Sequence, residues 1–152
     1  VDNTYLHDAE VFADGRYHLQ ADQQLEKGDG AGAIKSLQEA ATLNPDDPRG
    51  QAMLGQILDE KGDLEGSLAA YRRAADLDPD DPFVLVETGR LFGKMGRFDE
   101  AIGYLKKAAA ADPSMPEPHM LMAAAYQQMG RTAEAAASEA TWRRLSRVDR
   151  KP

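Results

Sequence analysis

The chain lacks cysteine, contains a single tryptophan and has few β-branched residues. Without cysteine it has neither disulfides nor thiolate metal sites, although this absence fits a cytoplasmic protein and an exported one equally well. No stretch approaches the roughly 18 consecutive apolar residues that a membrane-spanning helix needs. The residues that are abundant, such as alanine, leucine and glutamate, favour helix. These observations exclude a disulfide scaffold and predict a helical protein.

The 152 residues carry a formal net charge of −8, which is distributed unevenly. Residues 1–81 have 7 Lys/Arg against 18 Asp/Glu, a net of −11, whereas residues 82–152 have 11 against 8, a net of +3. Because contacts to phosphates need clustered positive charge, a protein with a pI near 4.8 is not expected to bind nucleic acid. The basic stretch from Arg143 to Lys151 is a local exception. We favour a solvated helix end for it over a contact with an anionic surface.

A repeat of 34 residues organises the chain. Three types of residue follow this period, namely glycines, alanines and prolines: Gly28, Gly62, Gly96 and Gly130; Ala40, Ala74 and Ala108; Pro45, Pro79 and Pro113. Asp47 and Asp81 each precede a proline, the pattern of a helix N-cap followed by proline at the first helical position. The glycines stand where a left-handed residue ends a helix. Each period therefore predicts two helices, and eight are expected near 14–27, 31–43, 48–60, 65–77, 82–94, 99–111, 116–128 and 133–147.

These repeats resemble tetratricopeptide repeats. The residues that carry the resemblance stand at the family's Leu-Gly, Gly-Asp, Tyr, Ala and Pro positions, which in the second repeat are Leu54-Gly55, Gly62-Asp63, Tyr71, Ala74 and Pro79. The resemblance implies an all-α fold, a right-handed superhelical α-solenoid of four helix-turn-helix hairpins at 14–47, 48–81, 82–115 and 116–149. The flanking segments are an N-terminal helical extension at 1–13, which either continues the first helix or lies on it, and a tail at 150–152.

Nothing in the sequence predicts catalysis, a metal or a cofactor. Asp76, Asp78, Asp80 and Glu87 reproduce the carboxylate positions of an EF-hand loop, but Asp81 stands where that loop needs glycine. The chain has 3 histidines and no convincing pair of nucleophile and base. We therefore expect a binding protein that is not an enzyme.

By resemblance to the family, one face of the first helix in each hairpin lines a groove for a partner protein. The opposite face packs internally, and in the third hairpin it consists of Leu85, Thr88, Gly89 and Phe92. A solvated face seldom carries several large apolar residues together. The predicted partner-binding residues combine such apolar side chains with cations suited to a carboxylate, and they are Arg49, Met53, Phe83, Val86, Arg90, Lys94 and Met120. The alternative for Phe83 is packing against the neighbouring loop.

Two classes of function remain open. The first is an adaptor that holds a peptide or helix of another protein in the groove. The second is a structural module that self-associates into a homo-oligomer through its ends. Trp142, at the second Ala position of the fourth repeat, is expected to close the core of the last hairpin. The carboxylate clamp of the family's chaperone-binding members is absent, because its positions hold His18, Asp22, Met53, Phe83 and Glu87.

Overall fold

The computed structural model of the protein describes the backbone of residues 4–148 and the side chains of residues 15–147. This part of the chain contains eight α-helices and no strand, so the predicted all-α class is confirmed. The helices are α1 (Thr4–Glu26), α2 (Gly30–Leu43), α3 (Pro48–Glu60), α4 (Leu64–Leu77), α5 (Pro82–Lys94), α6 (Phe98–Ala111), α7 (Glu117–Gln128) and α8 (Thr132–Val148).

The helix bounds agree with those expected from the 34-residue period, except at the N-terminus. Helix α1 begins at Thr4 and passes through Gly15 without a break, so residues 4–13 continue the first helix and do not fold back on it. Residues 1–3 of the predicted extension and the predicted tail at 150–152 lie outside the described residues.

The helices form two compact units, residues 1–77 and 78–152, which we call the first and second units. In the first unit α1 packs on α2, α2 on α3, and α3 on α4. In the second unit α5 packs on α6, α6 on α7, and α7 on α8, and α5 also contacts α7. Each unit therefore contains two hairpins whose sequential helices are neighbours.

The loop inside each hairpin has the same backbone geometry. Gly28, Gly62, Gly96 and Gly130 have φ angles of 75°, 81°, 73° and 71°, the left-handed region that glycine adopts without strain. The residue after each glycine donates its N–H back to the preceding helix, as Arg97 does to the Phe92 carbonyl at 2.9 Å. This is the hydrogen bond of a Schellman motif. The predicted C-terminal role of the four glycines is confirmed.

A glycine brings the two helices of a hairpin together in both units. A Cβ placed on Gly55 would lie 2.7 Å from the ring of Tyr71, and a Cβ on Gly89 would lie 2.7 Å from Leu105 Cγ. Tyr71 and Leu105 are each about 1% exposed and are central to the cores. The internal face predicted for α5 is confirmed, because its residues are buried. Trp142 of α8, which the sequence predicts to close the core of the last hairpin, is only partly buried.

Candidate functional site

The residues predicted to bind a partner are divided between the two units, and the two in the first unit contribute to its structure. Asp47 is the N-cap of α3, and its carboxylate accepts hydrogen bonds from the backbone and guanidinium of Arg49. The side-chain hydrogen bond from Arg49 lowers the pKa of Asp47 below its ordinary value. Met53 is partly buried against a core that includes Leu37 and Ile57. Arg49 therefore stabilises the start of α3, and Met53 packs on the core.

The prediction that Val86 is an exposed groove residue is wrong. Its side chain is about 1% exposed and forms a core cluster with Leu85 and Ala108. Met115 and Leu121, which are partly buried, pack against the same cluster. The reason is that α5 packs on α7 as well as on α6, so it buries a wider face than the single stripe inferred from the sequence.

Phe83 and Met120 are exposed, as the sequence predicts, with exposed fractions of 51% and 41%. Phe83 lies in the first turn of α5, where its backbone N–H donates to the N-cap Asp81 at 2.9 Å. About half of the residue stays accessible to solvent, so the neighbouring loop does not enclose it. Because Phe83 precedes Arg90 by seven residues, the two lie roughly 10 Å apart along the helix. With Val86 buried, Phe83 and Met120 are not joined through it into one apolar cluster.

Arg90 lies between two carboxylates of the second unit. Its Nε donates to Glu87 of the same helix at 3.3 Å, and its guanidinium also pairs with Glu117 at the start of α7. The Arg90 side chain is 31% exposed, so it remains accessible to solvent. The sequence predicted the cation and its position but not these two acidic neighbours. Lys94, one turn further along α5, is exposed.

A pocket of about 360 Å³ lies between α5, α6 and α7. Most of its lining is apolar and includes Gly89, Gly93, Leu105, Leu121, Ala124 and Ala125. Phe98 and Ala101 complete the apolar wall, whereas Arg90, Lys94 and Gln128 are the polar residues of the lining. Both charged side chains of the lining are thus cationic, and both belong to the predicted partner-binding residues.

Two glycines of α5 line this pocket, one at a close contact between helices and the other beside open space. Gly89 faces α6, where a Cβ would collide with Leu105, so glycine there allows the two helices to approach closely. Gly93 faces open space, because no atom lies within 4 Å of a Cβ placed on it. Gly93 and Ala124 line the pocket, as do Phe98 and Leu121, and none of the four is among the predicted partner-binding residues.

Neither a metal site nor a membrane-spanning helix is found among the described residues. Between residues 15 and 147 no three His, Asp or Glu side chains gather where they could hold a metal ion. Among the described helices, none combines the length and apolar character required to cross a bilayer. In the basic stretch, Arg143 pairs with Glu139, while Arg144 and Arg147 are exposed. Arg150 and Lys151 lie outside the described residues.

Helical hairpins repeated in sequence, each packed on its neighbour, define the class of helical-repeat proteins. Two family models, both described as tetratricopeptide repeat, match residues 18–82 and residues 94–138. The chain belongs to the tetratricopeptide repeat family, which confirms the resemblance drawn from the sequence. Proteins of this family bind other proteins, so the chain belongs to a class of protein-interaction scaffolds.

Solved structures with the same fold include MamA and PilF. A crystal structure of MamA has a TM-score of 0.86 at 18% identity, over 96% of this chain and 85% of that one. MamA of Desulfovibrio magneticus RS-1, from residue 41 to its end, has a TM-score of 0.81 at 20% identity, over 88% and 75%. PilF of Pseudomonas aeruginosa has a TM-score of 0.78 at 21% identity, over 91% and 64%. No curated protein sequence matches the chain. At these identities the likeness shows the fold alone.

Proposed function

We propose that the second unit binds a segment of a partner protein in the pocket between α5, α6 and α7. The observation that carries this proposal is the open apolar space over Gly93. A volume of about 360 Å³ falls within the range of about 300–1,000 Å³ that ligand pockets occupy. Apolar walls with a few polar groups at the edge suit the apolar face of a peptide or of an amphipathic helix.

Arg90 and Lys94 are the predicted residues that contact the bound segment at the pocket itself. Phe83 and Met120 are the exposed apolar side chains that extend the contact along α5 and α7. Arg49 and Met53 stay a prediction for the first unit, where a partner contact with Arg49 competes with Asp47. Catalysis is not part of the proposal.

The test fills the pocket without disturbing the fold. Gly93→Leu places a large side chain in the open space, and it replaces glycine inside a helix, a change that favours folding by about 0.5–1 kcal/mol. Gly103→Leu on α6 is the matched control, because Gly103 is also a helical glycine with no atom within 4 Å of a Cβ, and it is exposed and outside the pocket lining. Both variants should have melting temperatures equal to or above that of the original chain.

In affinity capture followed by quantitative mass spectrometry, the partner should be lost with Gly93→Leu and retained with Gly103→Leu. Equal capture by both variants contradicts the proposal. The partial exposure of Trp142 on α8 favours the second candidate function, self-association. Light scattering over a concentration series tests it. A rise in mass that Trp142→Ala removes and Gly93→Leu leaves unchanged would establish self-association as the function of this chain.

A further inference from the structure

The charges in the pocket lining are of one sign. Arg90 and Lys94 both line the pocket, and no acidic side chain does. A bound segment whose apolar side chain enters the pocket therefore places its neighbouring residues beside two cations. Electrostatic complementarity favours an acidic neighbour and disfavours a basic one.

The two carboxylates on Arg90 differ in how readily they can leave. Glu87 belongs to the same helix and is 18% exposed, whereas Glu117 reaches Arg90 from α7 and is 42% exposed. Exposed ion pairs contribute little to stability, so Glu117 can turn towards water at small cost. Neither carboxylate lines the pocket, whereas Arg90, which pairs with both, does. A carboxylate that arrives from the pocket side thus finds Arg90 with one partner that is readily exchanged.

We infer that Glu117 is an internal carboxylate that a partner carboxylate replaces on Arg90. The ligand of the pocket is then a peptide segment that has a large apolar anchor and an aspartate or glutamate close to it. Glu117 competes with such a ligand and selects against segments without a carboxylate, which cannot replace it. This inference rests on the proposed function, because it requires a partner segment in the pocket.

The experiment selects random short peptides displayed on phage against the full chain and removes those that also bind Gly93→Leu. We expect the remaining peptides to carry a large apolar residue with Asp or Glu within one helical turn. For one selected peptide, fluorescence polarisation should show that Arg90→Gln weakens binding about 5- to 10-fold and that Glu117→Gln strengthens it about 2- to 5-fold. In the Arg90→Gln background, Glu117→Gln should have no effect.

Glu134→Gln is the matched control, because Glu134 is 45% exposed and pairs with Arg131 outside the pocket. It should leave the affinity unchanged. Glu117→Ala provides a second variant, and thermal melting shows whether each variant is folded. Peptides that depend on Gly93 but lack acidic residues, or weaker or unchanged binding by both Glu117 variants, would overturn the inference and leave the pocket in place. If no selected peptide depends on Gly93, the proposed function itself fails.

Discussion

The two units start the second helix of each hairpin with different chemistry. In the first unit, Asp29 and Asp63 accept hydrogen bonds from the backbone N–H groups of Gly32 and Gly66, both at 2.9 Å. These aspartates satisfy backbone groups that a helix start otherwise leaves without partners. The first unit thus uses side-chain N-caps.

In the second unit, arginine replaces the aspartate at the same position of the repeat. Arg97 pairs with Glu100 and lies over the ring of Phe92, with 4.7 Å between the guanidinium carbon and the ring centre. Arg131 does the same with Glu134 and with Tyr126, at 4.9 Å. The second unit therefore stabilises the turn by an ion pair and a cation–π contact, and Arg97 makes no side-chain cap.

The difference shows that two positions of the repeat depend on each other, namely the one that holds Asp63 or Arg97 and the one three residues later. A Cβ on Gly66 would lie 2.4 Å from the Asp63 carboxylate, so a side chain there has to displace the cap. Arginine at that position leaves room for glutamate three residues later, as Arg97 and Glu100 show. The same backbone turn is thus compatible with two combinations of residues.

The units also differ in their pockets. A polar pocket of the first unit is lined by residues that include Gln20, Gln24, Lys35, Ser36 and Glu39. The pocket of the second unit is largely apolar, and its charged residues are cations. Similar backbones therefore present different surfaces, and this contrast is the reason for assigning partner binding to the second unit.

The largest expected effect comes from substitutions that destabilise one unit at a time. Tyr71→Ala in the first unit and Leu105→Ala in the second each remove a buried side chain that faces a glycine, at a cost of about 3–5 kcal/mol. Hydrogen exchange with mass spectrometry should show the greatest loss of protection in the unit that carries the substitution, because repeats are stabilised mainly by their neighbours. Equal loss in both units would show that they unfold as one cooperative body. The stabilities of the two units could then not be compared separately.

A smaller effect tests the pairing of residues in the hairpin turn. Asp63→Arg removes the cap of α4 and should cost about 1 kcal/mol. Adding Gly66→Glu should recover most of that loss, since it rebuilds the ion pair of the second unit. In a double-mutant cycle, urea unfolding should give a favourable coupling of about 0.5–1 kcal/mol between the two changes. Additive effects would mean that the two positions are not energetically coupled.

The smallest expected effect concerns pH and the second unit. Burial, and secondarily the charge of Arg144, lowers the pKa of His119 below its ordinary value near 6.5. The folded state therefore binds fewer protons than the unfolded state near this pH. The contribution of His119 to the free energy of unfolding should be fully present above about pH 6.5. It should decline as the pH falls towards the lower pKa of the folded state. Melting temperatures of the original chain and of His119→Asn should differ less at acidic pH than at neutral pH. A difference in melting temperature between the two proteins that stays the same at every pH would contradict this effect of His119.

The sequence predicted the helices and the loops because each depends on local residues that recur every 34 positions, such as Gly62 and Asp81. It predicted that Arg90 and Lys94 share one face of α5, and both line the pocket, but their contact with a partner stays a prediction. It was wrong about Val86, since the burial of that residue depends on how α7 packs against α5. The ion pair between Arg90 and Glu117 is tertiary in the same way, because it joins residues 27 positions apart.

The most direct test of partner binding by the second unit is an NMR titration with leucine methyl groups labelled. The titrant is a peptide selected for dependence on Gly93. Leu105 and Leu121 report on the pocket, and Leu37 and Leu68 report on the core of the first unit. We expect the shifts to move at Leu105 and Leu121 and to stay unchanged at Leu37 and Leu68. Larger changes at Leu37 and Leu68 than at the pocket methyl groups would contradict the assignment of binding to the second unit.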